Sequence, residues 1–142
     1  MGGEAAIQAA LYRHLKATKL PVALPIAPEG RNFDPKGRAY LRSTFLPAET
    51  TSFGTESDGD IIYGGLFQID VFWPVNEGLT RPLTHAAMLA ARFCRGTRLT
   101  ANDLEVRIDQ PASVLGAQQE PNWLHIPVRA RWAVYAGPPS TV

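Results

Sequence analysis

The sequence predicts an α+β domain, a mostly antiparallel sheet of four to five strands with two main helices packed on one face. Three observations carry this reading. Phe67, Ile69, Val71 and Trp73 alternate with Gln68 and Asp70, the period-two pattern of a half-buried strand. Ile7, Ala10, Leu11 and Leu15, and then Leu83, Ala86, Ala87, Ala90 and Phe93, recur at helical spacing. The order along the chain is helix, strands, helix, strands, with no internal repeat and no heptads. A length of 142 residues fits one domain over 1–142, enough to bury roughly two-thirds of the unfolded surface.

The first helix is expected over Glu4 to Thr18, and Pro21 blocks its continuation. Val22 to Ala27 reads as a short strand, demoted to an edge or bulge by Pro25. Pro28 to Lys36 is a loop, with Glu29-Gly30 and Asp34-Pro35 as turn signals. Ala39 to Glu49 is a second strand with Leu41 and Phe45 inward and Arg42 and Thr44 outward. Residues 50–61 are polar and acidic, with too little apolar surface to offset ordering entropy, which predicts a mobile loop. Ile62 to Trp73 is the longest strand and pairs antiparallel with the second through that loop.

The second helix spans Pro82 to Cys94, with Pro82 in the first turn, where its missing N–H does no harm, and Gly96 as the stop. Leu104 to Asp109 and Leu124 to Tyr135 are the last strands, with Leu104, Val106, Ile108, Leu124, Ile126, Val128, Ala130, Trp132 and Val134 facing inward. Gly137-Pro138-Pro139 ends the sheet, leaving 137–142 as a short flexible tail.

Composition excludes several classes. A hydrophobic fraction of 45% and a charged fraction of 19% describe a globular chain. A net charge of +1 gives no clustered basic surface for sequence-specific nucleic-acid binding. No apolar run approaches the ~20 residues that span a bilayer, and the first residues lack a basic segment followed by an apolar core, so a secretory signal is not expected. The single cysteine, Cys94, forms no internal disulfide, which fits folding in a reducing cytoplasm.

Catalytic and metal motifs find no support. His14, His85 and His125 lie far apart with no partner at ligand spacing, so no metal is expected. Glu56, Asp58 and Asp60 start like a calcium loop, but no bidentate glutamate follows Gly59 at the required distance. Gly64-Gly65 lacks the lysine and hydroxyl of a phosphate loop, and no Gly-x-Ser-x-Gly elbow occurs. Cys94 between Arg92 and Arg95 is expected to be a buried structural thiol. No cofactor is implied, and the chain is not expected to be an enzyme.

The candidate sites are contact surfaces. Arg42, Asp70, Glu105, Arg107, Asp109, Arg129 and Arg131 collect on the outward sheet face, as a solvated charge ladder or as a subunit interface or ring lumen. Phe53 is the lone aromatic of the polar loop and a candidate anchor for a partner, beside Glu56, Asp58 and Asp60.

Tyr40-Leu41-Arg42 with Leu46-Pro47-Ala48-Glu49, then Gly65 to Phe72, Gly96-Thr97-Arg98-Leu99 and Trp123-Leu124-His125-Ile126-Pro127-Val128 stand in an order and spacing that resembles the tail-terminator-like proteins of long-tailed bacteriophages. The resemblance runs from Ile7 to Tyr135. It implies a homo-oligomer, a hexameric ring on the end of the tail tube that stops polymerisation and offers a surface to the head. It also implies contacts with the tail tube protein and a head-completion or connector protein, assembly in the host bacterial cytoplasm, and a final place at the tail–neck junction of the virion. Strand edges and the acidic loop would supply the ring contacts. Competing readings are a head–tail adaptor, a tube or minor tail subunit, a small enzyme or ligand-binding domain with a concave apolar site, and a nucleic-acid binder.

Overall fold

The computed structural model describes residues 3–48 and 61–135. In chain order these form α1 (Gly3–Lys16), β1 (Ile26–Ala27), β2 (Tyr40–Pro47), β3 (Ile61–Pro74), α2 (Thr80–Arg92), β4 (Arg98–Ala101), β5 (Leu104–Ile108), β6 (Ser113–Val114), β7 (Gln118–Gln119) and β8 (Trp123–Tyr135). The sheet runs β1-β2-β3-β8-β5-β4, with β6 and β7 also paired to β8.

The expected mostly antiparallel sheet of four to five strands is corrected by this topology. Eight strands make a curled, mixed half-barrel, and β1 runs parallel to β2 with Ile26 opposite Leu41. The extra strands are short. β6 and β7 are two residues each, too few to express any alternation, and β4 has four, while the short edge strand expected over Val22 to Ala27 is present as β1 at Ile26–Ala27. Their existence depends on what stands beside them. One edge of β8 meets β3 along its length, while the other is shared among β7 at Leu124–His125, β6 at Val128–Arg129 and β5 at Trp132–Ala133. Pro127, which has no N–H for a ladder, falls between the β6 and β7 pairings, and its carbonyl accepts the Leu115 N–H at 2.9 Å.

The antiparallel pairing of β2 with β3 is as the alternation requires, from Tyr40 opposite Phe72 to Pro47 opposite Gly65. Phe67, Ile69, Val71 and Trp73 are buried inward, with Ile126, Val128, Ala130, Trp132 and Val134 beside them. The α1 residues Ile7, Ala10, Leu11 and Leu15 complete the same core with Leu89 and Phe93. Each fully buried aliphatic or aromatic side chain contributes about 1.5–3 kcal/mol. The two helices are tied at one point, where Arg92 Nε donates to the His14 carbonyl (3.3 Å) and the His14 ring meets the Arg92 carbonyl (2.8 Å).

In α2 the buried stripe is rotated from the expected one. Pro82, His85, Ala86 and Leu89 face the core, and Leu83 and Ala87 face solvent. His85 is the cause. Its Nε2 accepts the Val22 N–H at 3.3 Å, which places the ring proton on Nδ1, donated to the Arg81 carbonyl at 2.8 Å. A histidine that satisfies two backbone groups and packs 5.0 Å from Trp73 is more useful inside than a leucine would be. Gly96 follows the helix with φ of 95°, and its N–H bonds the Ile108 carbonyl at 2.8 Å, turning the chain into β4. Cys94, expected to be buried, is exposed.

Candidate functional site: the outward sheet face

The even-numbered residues of β2 and β3 and the odd-numbered residues of β8 point away from the helices. At one end they form a small second core: Tyr40 stacks on Phe72 at 4.7 Å, Trp123 meets Tyr40 edge-on at 5.3 Å, and Phe33 from the preceding loop caps Tyr40 at 5.2 Å. Burial pushes the Tyr40 phenol above its usual range, against the opposing pull of the Arg42 guanidinium.

A polar relay crosses the strands next to this core. Asp70, only 4% exposed, accepts from His125 Nε2 at 2.7 Å and from Gln68 Nε2 at 2.9 Å. Gln68 Oε1 in turn accepts from Arg129 Nε at 2.7 Å. The His125 ring lies flat on Phe72, 4.6 Å away, so one of its faces is closed. Asp70 and His125 are the orienting acid and base of a nucleophile triad in composition, but the hydrogen bonds recorded for His125 among the described residues include no hydroxyl or thiol. The arrangement positions side chains across the outward face.

The sequence expectations fare unevenly here. Arg42 stands opposite Asp70 in register, yet its guanidinium lies over the Phe72 ring at 4.8 Å rather than on the carboxylate. Arg107 pairs with Glu105 at 3.0 Å and lies 5.2 Å over the Tyr135 ring. Tyr135 donates a hydrogen bond to Asp109, and this bond, with burial, raises its phenol. Arg129 and Arg131 are exposed, and Arg131 lines a cleft of about 460 Å³ with Leu46, Gly65, Asp109 and Tyr135. Phe53, Glu56, Asp58 and Asp60 lie outside the described residues.

The charge ladder imagined from sequence is therefore not an alternation of partners. Among the described residues the ion pairs are Arg98–Glu105 and Arg107–Glu105, and Asp70 accepts the hydrogen bond of His125. Arg42, Arg129 and Arg131 have no carboxylate within 4.0 Å there, so the solvent side of β2 and β8 is basic. Gln68 and His125 were missed as organisers, since a glutamine and a histidine on an outward face carry no spacing signal. No group of three or more His, Cys, Asp or Glu that could hold a metal occurs among the described residues, and no described helix is long and apolar enough to cross a membrane.

A curled mixed sheet over a packed core, with a polar relay and basic side chains on its outward face, defines an α+β protein of the half-barrel kind. Comparison with known proteins gives the particular family. The family model described as phage tail terminator protein matches residues 6–132, and the chain belongs to that family. It is a family of structural proteins, so this is a structural phage tail protein with a place in the virion and in assembly with other tail proteins. One solved structure, of a protein described without a function, is 28% identical over 94% of this chain and 96% of that one, with a TM-score of 0.76. A chain from the virion of a native gene transfer agent particle shares the fold at 19% identity, with a TM-score of 0.64 over 95% of this chain and 98% of that one. No curated protein matches the sequence.

Proposed function

We propose that this chain, acting as one domain, is the terminator itself. Copies close into a hexameric ring on the tail tube, stop its polymerisation, and present a face to a head-completion or connector protein at the tail–neck junction. The match of the terminator family model over residues 6–132 carries this reading. The outward face supports it. Arg42, Arg129 and Arg131, held on rigid strands and without carboxylate partners among the described residues, offer a preorganised basic surface to an acidic partner, with Asp70 and Arg107 shaping it from below and beside. The loop residues Phe53, Glu56, Asp58 and Asp60 complete the proposed interface set. The ring works without a cofactor, by contact alone.

The test is electron microscopy of lysates from the parent phage with this gene disrupted. Overlong, headless tubes that return to normal length when the chain is added back establish a terminator. Tails of normal length with a defect at the neck replace this reading with a head–tail adaptor.

A further inference from the structure

The cleft beside Arg131 joins an apolar lining to one open charge. Gly64 and Gly65 put bare backbone into it, and Leu46, Leu66 and Ala133 make the rest largely apolar, with Leu46 42% exposed. Two charged side chains also line it. Asp109 is engaged by the Tyr135 hydroxyl. Arg131 has no carboxylate within 4.0 Å among the described residues, so its guanidinium is the charge left open.

A hairpin tip of matching chemistry stands at the other end of β8. The Glu120 N–H bonds the Trp123 carbonyl at 2.8 Å, closing the two-residue turn Pro121–Asn122, and the Val75 N–H ties the Asn122 carbonyl to the end of β3 at 3.4 Å. Glu120 and Pro121 are both exposed on this anchored turn. Most exposed carboxylates among the described residues are engaged: Glu29 by Phe45, Asp34 by Lys36, Glu77 by Trp73 and Glu105 by arginines. Glu120 and Asp103 are not. Asp103 stands between the polar Asn102 and the half-buried Leu104, whereas Glu120 carries an exposed proline beside it.

We infer that the Glu120–Pro121 tip of one copy seats in this cleft of a second copy, with the Glu120 carboxylate on Arg131 and Pro121 against Leu46 and Leu66. The inference rests on the ring reading above and gives Arg131 its partner. Opposite charge fixes the register of the contact, and the proline fills its apolar part. A copy cannot fill its own cleft. Arg131 lies eight residues beyond Trp123, roughly 26 Å along β8, too far for two side chains to bridge. Tip and cleft at opposite ends of one strand make the contact head-to-tail and able to close a ring.

The experiment reverses one charge per copy. Arg131→Glu leaves a copy acidic at both tip and cleft, and Glu120→Arg leaves one basic at both. Circular dichroism checks that each folds. Each alone should associate at least about tenfold more weakly than wild type in native mass spectrometry and light scattering. A 1:1 mixture should regain wild-type oligomers, because alternating copies set every tip against a cleft of opposite sign. Asp103→Arg changes the charge equally away from the contact and should associate as wild type does. Either reversal associating like wild type overturns the inference, as does a mixture no tighter than its components. So does an Asp103→Arg chain weakened as much as Glu120→Arg, or a wild-type chain monomeric up to about 1 mM. Should a reversal variant unfold, oxidative cross-linking of Pro121→Cys to Leu46→Cys in a Cys94→Ser background gives the same answer. Covalent oligomers support the contact; monomers or internal cross-links sink it and leave the cleft to another occupant. Tail-length microscopy reads the terminator function separately. A Glu120→Arg chain that restores normal tails with no Arg131→Glu companion removes the contact and leaves the function standing.

Discussion

Replacing Gly65 with alanine isolates a single steric demand of the sheet. A Cβ at Gly65 would lie 2.4 Å from the Leu46 carbonyl oxygen, 2.8 Å from Pro47 Cα and 2.9 Å from Trp132 Cζ2. Two of these atoms are backbone of β2, paired directly to β3 at this point, so they do not move independently. The third belongs to an indole stacked on Phe45 at 5.4 Å. Overpacking of this kind costs typically about 1–3 kcal/mol, and the shortest contact being to backbone puts Gly65→Ala at the upper end. The stiffer unfolded chain offsets about 0.4–1 kcal/mol. The net is a loss of about 2 kcal/mol, and at about 4 °C per kcal/mol for a domain of this size the melting temperature should fall by about 8 °C. Gly116→Ala is the matched control, because a Cβ there meets nothing within 4 Å and φ is not positive. Urea unfolding followed by tryptophan fluorescence measures both. Adding Trp132→Phe to Gly65→Ala should recover little, since the carbonyl clash remains. A Gly65→Ala protein as stable as wild type, or no more affected than Gly116→Ala, refutes the argument.

Asp70→Ala should cost roughly 1–3 kcal/mol in chemical denaturation by leaving His125 and Gln68 without their acceptor, while Arg42→Ala should stay within about 1 kcal/mol. His85→Phe keeps a ring beside Trp73 but orphans the Val22 N–H and the Arg81 carbonyl, so a loss of about 1–3 kcal/mol is expected in the same measurement. Leu89→Ala should lose about 2–5 kcal/mol and Leu83→Ser less than about 1 kcal/mol, a contrast that thermal melts of the pair test against the rotated stripe. Burial lowers the His14 pKa below 6.5, with the Arg92 charge adding to it and the bond to the Arg92 carbonyl opposing. The unfolded chain therefore binds a proton that the folded one refuses. This contribution is intact above pH 6.5 and shrinks as pH falls from 6.5 to the lowered folded value. Melting temperatures between pH 7.5 and 5 should decline more for wild type than for His14→Gln, and parallel curves would contradict it.

Long periodic elements were legible in the sequence because their pattern repeats often enough to declare itself. β3 and β8, at 14 and 13 residues, show four and six of the expected inward positions, and all the inward residues expected of β3 are buried. The two-residue strands β6 and β7 were invisible for the opposite reason. Ser113–Val114 and Gln118–Gln119 are exposed and become strands only because β8 is long enough to need something along its second edge. The phase of α2 failed at His85. Hydropathy counts a histidine as polar, while the backbone groups of Val22 and Arg81 make it a core residue, and they come from 63 and 4 positions away. The outward arginines were found from alternation alone. Their lack of carboxylate partners was not, because direct register neighbours such as Arg42 and Asp70 are diverted to an aromatic ring and to a histidine.

The free edge of β2 has a further consequence. Among the described residues β1 covers it at Leu41 and Arg42 alone, yet the next outward N–H, that of Phe45, is taken by the Glu29 carboxylate at 3.0 Å, and Pro47 has none to offer. A strand from another molecule arriving there meets a spent donor, then a proline, and the negative charge of Glu29 beside them. In a tail, where many identical subunits are crowded onto one axis, runaway strand addition is the hazard most native to a sheet. This margin acts as a selvedge, a finished border at which the weave ends.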